Sequence, residues 1–394
     1  MGNRKHPKAA ASSPFSPMIK DVKVTSEISP RAGIPKFVRP QKEWKWEIAI
    51  YLYLAGMGAG AYVIGVGLGW LGYHLNPSET ILFWSIPFDL SKAALLWGPL
   101  LVALGAPFLI LDLGKKDKFF SACLNPRTSW VARGFLILSV FILLGLANFV
   151  RSILAFPWLA ERSVLWIVLE VISVIFALAT AIYTGILLKS VKYVPIWNTP
   201  LLPALFLVSA LSTGSMGVVL TSMGYALFFL QGSPLDPLIP WIIGIEQILI
   251  LIEGLVLALY LFSKSRVKDQ GATSVRLLVS GHLKVLFWGG IVAIGFIFPV
   301  LLEYLYSHLP AYPVLLIATG LFLLTGGFLL RLAILASGIK EQLPMHKLIE
   351  MKINLSAFQK NLSLRAPFEK PWVSKEQDGM MLDAMTNGGN SHAR

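Results

Sequence analysis

Six ionisable side chains interrupt stretches that are otherwise apolar: Asp112, Arg133, Glu170, Glu246, Glu253 and Arg331. A charge carried into hydrocarbon costs roughly 3 kcal/mol on insertion scales, so each such residue is a candidate for proton or ligand chemistry. They separate by position. Asp112 closes the second apolar run and Arg133 opens the third, while Tyr51 lies in the first turn of the first run and Tyr183 near the end of the fourth. In a chain that crosses a bilayer back and forth, these four fall at one depth. A carboxyl, a guanidinium and two phenols at that depth offer a partner to each oxygen of a quinone head group arriving from the acyl region. Asp112 would accept the proton when quinol is oxidised, and the tyrosines would donate. A second reading fits these residues equally well: Asp112 pairs with Arg133, or with Lys115 or Lys116, as a structural clamp.

Glu246 and Glu253 are seven residues apart. In a helix they share a face, two turns or about 10 Å apart. Glu246 and Glu170 each lie about six residues in from the opposite membrane surface. With Ser209, Ser212, Thr213, Ser215 and Gln247 they outline a half-channel for protons. The competing reading is that these carboxyls are hydrogen-bonded between helices and only structural. Arg331, near the end of the last run, reads as a residue that can snorkel to the interface.

The elements that must position these groups follow from composition. The chain has 394 residues, 55% hydrophobic and 14% charged, with a mean hydropathy of +0.68. Soluble globular proteins carry about 25% charged residues. This composition excludes a water-soluble fold, and it equally excludes disorder, which needs low hydrophobicity and high charge. Eight apolar runs are long enough to span a bilayer: 48–73, 93–113, 131–151, 164–188, 201–222, 240–262, 283–303 and 313–337. None alternates with a period of two, so a β-barrel is ruled out. The fold expected is an all-α integral membrane protein. A polar, basic and Pro-rich tail over 1–46 reads as unprocessed rather than as a signal peptide. A transmembrane domain over 47–338 follows, then a polar tail over 339–394. The GMGAG run at 56–60 sits inside a span, where Gly56 and Gly60 form a close-packing face rather than a nucleotide site.

Eight spans place both tails on one side. That side carries 28 Lys and Arg, against Lys92 and Arg162 on the other, and the positive-inside rule makes it cytoplasmic in an inner (plasma) membrane. The net charge of +13 is thus a matter of topology, and no nucleic-acid partner is expected. Trp44, Trp46, Trp130, Trp158 and Trp197 fall at span ends as interfacial anchors. The single cysteine, Cys123, excludes an intramolecular disulfide and a cysteine-held cluster. None of the six histidines lies in mid-span, so no haem is expected in this chain.

Several motifs occur together in order. They are WKWEIAIYLYLAGMGAGAY (44–62), LDLGKKDKFFSACLNPRTSWVARG (111–134), YTGILLKSVKYVPIWNTPLLPALFLVSALSTG (183–214), GHLKVLFWGG with GFIFP (281–299) and TGGFLLRLAILASG (325–338). Over roughly 44–340 the chain resembles the NrfD/polysulfide reductase membrane subunits. It departs from them after Gly114, where Lys115-Lys116-Asp117-Lys118 replaces a common proline. The resemblance implies eight helices in two four-helix bundles, with no prosthetic group in this chain. It implies menaquinone or ubiquinone bound at the positions of Tyr51, Asp112 and Tyr183, with Arg133 in the same layer. It further implies a ferredoxin-like iron–sulfur subunit and a catalytic subunit, in many members a molybdopterin enzyme; the basic loop with Lys115, Lys116, Lys118 and Trp130 is the docking surface expected for that iron–sulfur partner. Well-known relatives dock that partner on the outer face; the charge distribution here expects it on the cytoplasmic side.

The function expected is a quinone- or quinol-reactive membrane anchor of a respiratory oxidoreductase, with proton translocation through Glu170, Glu246 and Glu253 as a further expectation. The alternatives are a proton-coupled secondary transporter or ion channel, and a structural anchor with no quinone contact. No clear internal repeat supports the transporter.

Overall fold

A computed structural model describes residues 41–340 except 42–43, 72–81, 84–85, 88–89, 113–126, 128, 155–162, 230–238, 268–269 and 310–312. Eight apolar helical stretches in it are long enough to cross a membrane, each matching one of the eight runs to within a few residues. In chain order the helices are α1 (Trp46–Trp70), α2 (Leu90–Asp112), α3 (Trp130–Ile153), α4 (Val164–Lys189), α5 (Leu201–Phe229), α6 (Ile239–Arg266), α7 (Gln270–Val279), α8 (Phe298–His308) and α9 (Pro313–Ala336). A π-helical stretch, Leu286–Ile297, runs directly into α8 to complete the seventh span. Between α1 and α2 a two-residue antiparallel ladder pairs Leu82–Phe83 with Ile86–Pro87. Below, the "tail side" is the end of the bundle where α1 begins and α9 finishes, and the "distal side" is the opposite end.

The eight spans form two groups of four. α1, α2, α3 and α4 pack in a ring, while α5 packs on α6 and α9, and α9 packs on the π-helical stretch and α8. The groups join where α5 packs on α1 and α4, and α9 also meets α1. That seam depends on glycine: a Cβ on Gly60 would overlap the carbonyl of Ala210, and one on Gly214 would overlap the backbone of Gly60. The backbones touch because neither helix carries a side chain there, as the small-residue spacing in GMGAG predicts.

Local signals fix the helix ends. Ser129 and Ser163 cap α3 and α4, their hydroxyls accepting from the amides of Ala132 and Trp166 at 3.3 Å each. The π-helical widening ends at Pro299, whose ring would clash with the carbonyl four residues earlier in a regular helix. The turn between α4 and α5 is held by three donors. Trp197 Nε1 donates to the Ile334 carbonyl (2.9 Å), Tyr260 to that of Ile196 (3.0 Å), and Lys264 Nζ to that of Asn198 (3.0 Å). Trp197 is therefore buried, not an interfacial anchor, whereas Trp46 and Trp130 are exposed at span ends. Trp158 lies outside the described residues.

The amphipathic α7 has no counterpart in the sequence-based expectation. It lies on the tail side between the sixth and seventh spans and buries Val275, Leu277 and Leu278.

Candidate functional site

Near the tail side of the first bundle, α1 and α4 bring Tyr51 and Tyr183 together as electrostatic neighbours. Both rings are buried. Tyr183 reaches across to α3, where its hydroxyl donates to the Trp130 carbonyl at 3.0 Å. Gly134, one turn further along α3, makes this possible, because any side chain there would overlap the Tyr183 ring. The Tyr51 hydroxyl is different. It is fully buried and has no hydrogen-bond partner among the described residues. An unserved buried donor costs about 1–3 kcal/mol, so it marks a strained or ligand-ready position.

Asp112 is the last residue of α2; its side chain, and Lys115, Lys116, Lys118 and Cys123, lie outside what the structure describes. Arg133 lies in the first turn of α3. Its guanidinium stacks 4.4 Å from the Trp130 ring and donates to the Arg127 carbonyl at 2.8 Å. Trp130 itself is 41% exposed at the mouth of the loop. Of the four residues expected in one layer, Tyr51 and Tyr183 are electrostatic neighbours in the same bundle, and Arg133 is engaged with its own helix start.

Glu170 lies on the distal side of the same bundle. It forms a buried ion pair with Arg151 (3.1 Å) and accepts from Trp70 Nε1 (2.7 Å). The Arg151 guanidinium lies 3.8 Å from the Trp166 ring centre. One turn deeper, Asn148 Nδ2 donates to Tyr62 (3.0 Å) and to Ser173 (2.7 Å), and Ser173 in turn donates to the Leu169 carbonyl. Glu170 thus belongs to a polar cluster of α1, α3 and α4, separate from that of Glu246 and Glu253. Arg151 and Asn148 are buried participants that sequence reasoning misses. Arg151 sits at a span edge, and a lone Asn carries no charge signal.

The second bundle holds its own polar line. Glu246 is buried and accepts from Ser212 at 3.3 Å. Facing it from α8 is Glu303, equally buried, with Gln247 alongside. Towards the tail side, Glu253 has Ser209 and Arg331 as polar neighbours. Arg331 is 0% exposed and does not snorkel. Its Nη1 donates to Ser209 (3.0 Å) and to the Gly327 carbonyl (2.8 Å), and the guanidinium sits between Tyr53 and Phe206. Gly56 leaves the room, since a Cβ there would come within 2.9 Å of Arg331 Nη2. A small space of about 10 Å³, near the size of one water, lies beside Glu253 against Thr213, Gly295, Gly326 and Gly327. A larger apolar recess of about 230 Å³, lined by Met57, Ala61, Trp97 and Gly217 among others, opens about two to three turns deeper than Tyr51, between α1, α2 and α5.

Among the described residues, no group of three His, Cys, Asp or Glu side chains is arranged to hold a metal ion. What the chain offers instead is a tyrosine pair at one face and two lines of buried polar groups, one per bundle.

Comparison with known proteins agrees with this architecture. The sequence is 28% identical over 241 residues to the C chain of polysulfide reductase from Wolinella succinogenes, covering 57% of the present sequence and 74% of that protein. It is 28% identical over 270 residues to protein NrfD of Escherichia coli strain K12, covering 63% and 82% respectively. The family model for polysulphide reductase NrfD matches residues 36–341, which take in all eight spans and both polar lines. This chain is a multi-pass membrane protein that belongs to the polysulphide reductase NrfD family.

Proposed function

We propose that this chain is the quinone-reactive membrane subunit of a multi-subunit respiratory oxidoreductase. It exchanges electrons between the quinone pool, menaquinone or ubiquinone, and an iron–sulfur subunit that serves a catalytic subunit. Two of its relatives are named as the C chain of a polysulfide reductase and as NrfD. The observation that carries the quinone reading is the Tyr51 hydroxyl, buried beside Tyr183 without an acceptor among the described residues. A carbonyl or hydroxyl oxygen of a quinone head group would satisfy it.

A bound quinol supplies two electrons and two protons. This chain's part is to hold the head group and to move protons. Tyr51 donates a hydrogen bond to one head-group oxygen. Tyr183, fixed by Trp130 and Gly134, sets the position of the pair. Asp112, at the end of α2, would accept a proton close to tail-side water. Glu246 and Glu253 provide a second proton route within the other bundle. The concentration of basic residues on the tail side supports cytoplasmic termini and cytoplasmic docking of the partner, with Lys115, Lys116, Lys118 and Trp130 at the docking surface.

A photoreactive quinone analogue tests the reading. In membranes containing the native complex, it is expected to label peptides bearing Tyr51 or Tyr183 and to be displaced by excess quinone. Labelling confined to lipid-facing positions outside α1–α4 would overturn it. A proton-coupled transporter would instead show ion flux through the purified chain with no quinol present.

A further inference from the structure

Glu303, on α8, faces Glu246, on α6, inside the second bundle. Both residues are at most 1% exposed. Ser212 of α5 donates to one Glu246 oxygen; Gln247 flanks Glu303, and Glu253 is the next carboxyl along α6. Three of the pair's four oxygens, Glu246 Oε2 and both of Glu303, have no hydrogen-bond donor among the described residues. No described Lys, Arg or His pairs with either carboxyl. The contrast with Glu170 is direct, since that carboxyl has Arg151 and Trp70.

Two buried carboxylates facing each other without a cation repel, and in a low-dielectric setting the repulsion is not screened. A hydrogen between them, one carboxyl donating to the other, removes that repulsion and serves an oxygen otherwise left without a donor. From this geometry we propose that Glu246 and Glu303 form a carboxyl pair holding one exchangeable proton, and that the pair is the distal-side loading site of the second bundle's polar line.

Position supports that role. Glu303 lies five residues from the distal end of α8, and Glu246 seven from the distal end of α6, so both are about 10 Å or less from that surface. Glu253 lies two helical turns further in, about 10 Å along the same helix. Beside it is the space of about 10 Å³, with Arg331 beyond. One water in that space would connect Glu253 to Thr213. The balance is simple: a proton entering the pair from distal water neutralises one carboxylate, and a proton leaving toward Glu253 restores it. No bond other than O–H forms or breaks. The use of the pair in energy coupling rests on the redox reading above; the existence of the shared proton does not.

The test uses the full chain in lipid nanodiscs and infrared difference spectroscopy on exchange from H₂O to D₂O at neutral pH. The native chain is expected to show a deuterium-sensitive C=O band of a protonated carboxyl. Glu303→Gln and Glu246→Gln should each abolish it, while Glu170→Gln should leave it in place. Thermal unfolding of each variant verifies that it is folded, and Glu303→Asp, which keeps the carboxyl, should retain a shifted band. A band unchanged in Glu303→Gln overturns the proposal. So does a band that is absent in the native chain or that vanishes on adding sodium chloride in place of potassium chloride, since the site would then take a metal cation. In vesicles holding the native complex, Glu303→Gln should lower proton yield while quinol oxidation and photolabelling at Tyr51 persist. Loss of labelling with the band intact would overturn the quinone reading alone.

Discussion

The Tyr183 ring occupies the volume that a side chain at position 134 would need. This relation between α4 and α3 fixes the tyrosine that stands beside Tyr51, and it gives a glycine in a helix interior a reason beyond packing density. In Gly134→Ala the ring must swing away and its hydrogen bond to the Trp130 carbonyl is lost. Quinol oxidation by the complex should fall at least tenfold, with KM for quinol raised. Gly134→Ala with Tyr183→Phe should be no worse than Gly134→Ala alone, because both changes act on the same group. Additive losses would separate Gly134 from the site.

The Arg151–Glu170 pair is buried, with side-chain exposures of 6% and 11%. Removing one partner leaves the other charge without its counter-ion. Glu170→Ala should therefore destabilise the subunit by about 3 kcal/mol, and Arg151→Met combined with Glu170→Leu should recover most of that loss. Thermal unfolding in detergent measures both. Equal stability of the single and double variants would contradict the pairing.

Contact between the two bundles runs through Gly60 and Ala210. Gly60→Leu drives a side chain into backbone that cannot move aside. Overpacking of this kind costs about 1–3 kcal/mol or more, so expression and thermal stability should both drop. The control Gly67→Leu, two turns along the same helix, meets open space and should be tolerated.

Arg331 is held by Ser209, Gly327 and two aromatic rings. Arg331→Ala removes these bonds and the counter-charge of Glu253, and should lower stability by about 3 kcal/mol. Arg331→Lys keeps the charge and loses the planar geometry, so it should recover only part of the loss. Wild-type unfolding in Arg331→Ala would mean the guanidinium has no structural role.

The spans are legible in the sequence because hydrocarbon imposes a simple rule on length and polarity, and the glycines of GMGAG mark the α1–α5 seam for the same reason. Arg331 departs from its sequence-based expectation. Its place near a span end suggests the interface, but space left by Gly56 and Gly327 lets it lie inward. Glu303 escapes notice in the sequence because the apolar run of the seventh span ends there. The helix in fact continues to His308, which puts the carboxyl one turn inside. The π-helical geometry ahead of Pro299 and the amphipathic α7 both depend on neighbours far away in sequence. Which carboxyl meets an arginine and which meets another carboxyl is likewise decided by helix rotation, which hydropathy does not encode.

The hold of Tyr51 and Tyr183 on a quinone head group is what the proposed function rests on. Its most direct measurement is quinol oxidation by the native complex carrying Tyr51→Phe, which removes one hydroxyl and leaves the packed ring. A fall of roughly tenfold or more in kcat/KM for quinol is expected, in the range of one lost buried hydrogen bond, with the complex fully assembled and its thermal stability unchanged or raised, because an unserved donor is gone. Unaltered quinol oxidation in both Tyr51→Phe and Tyr183→Phe would contradict it.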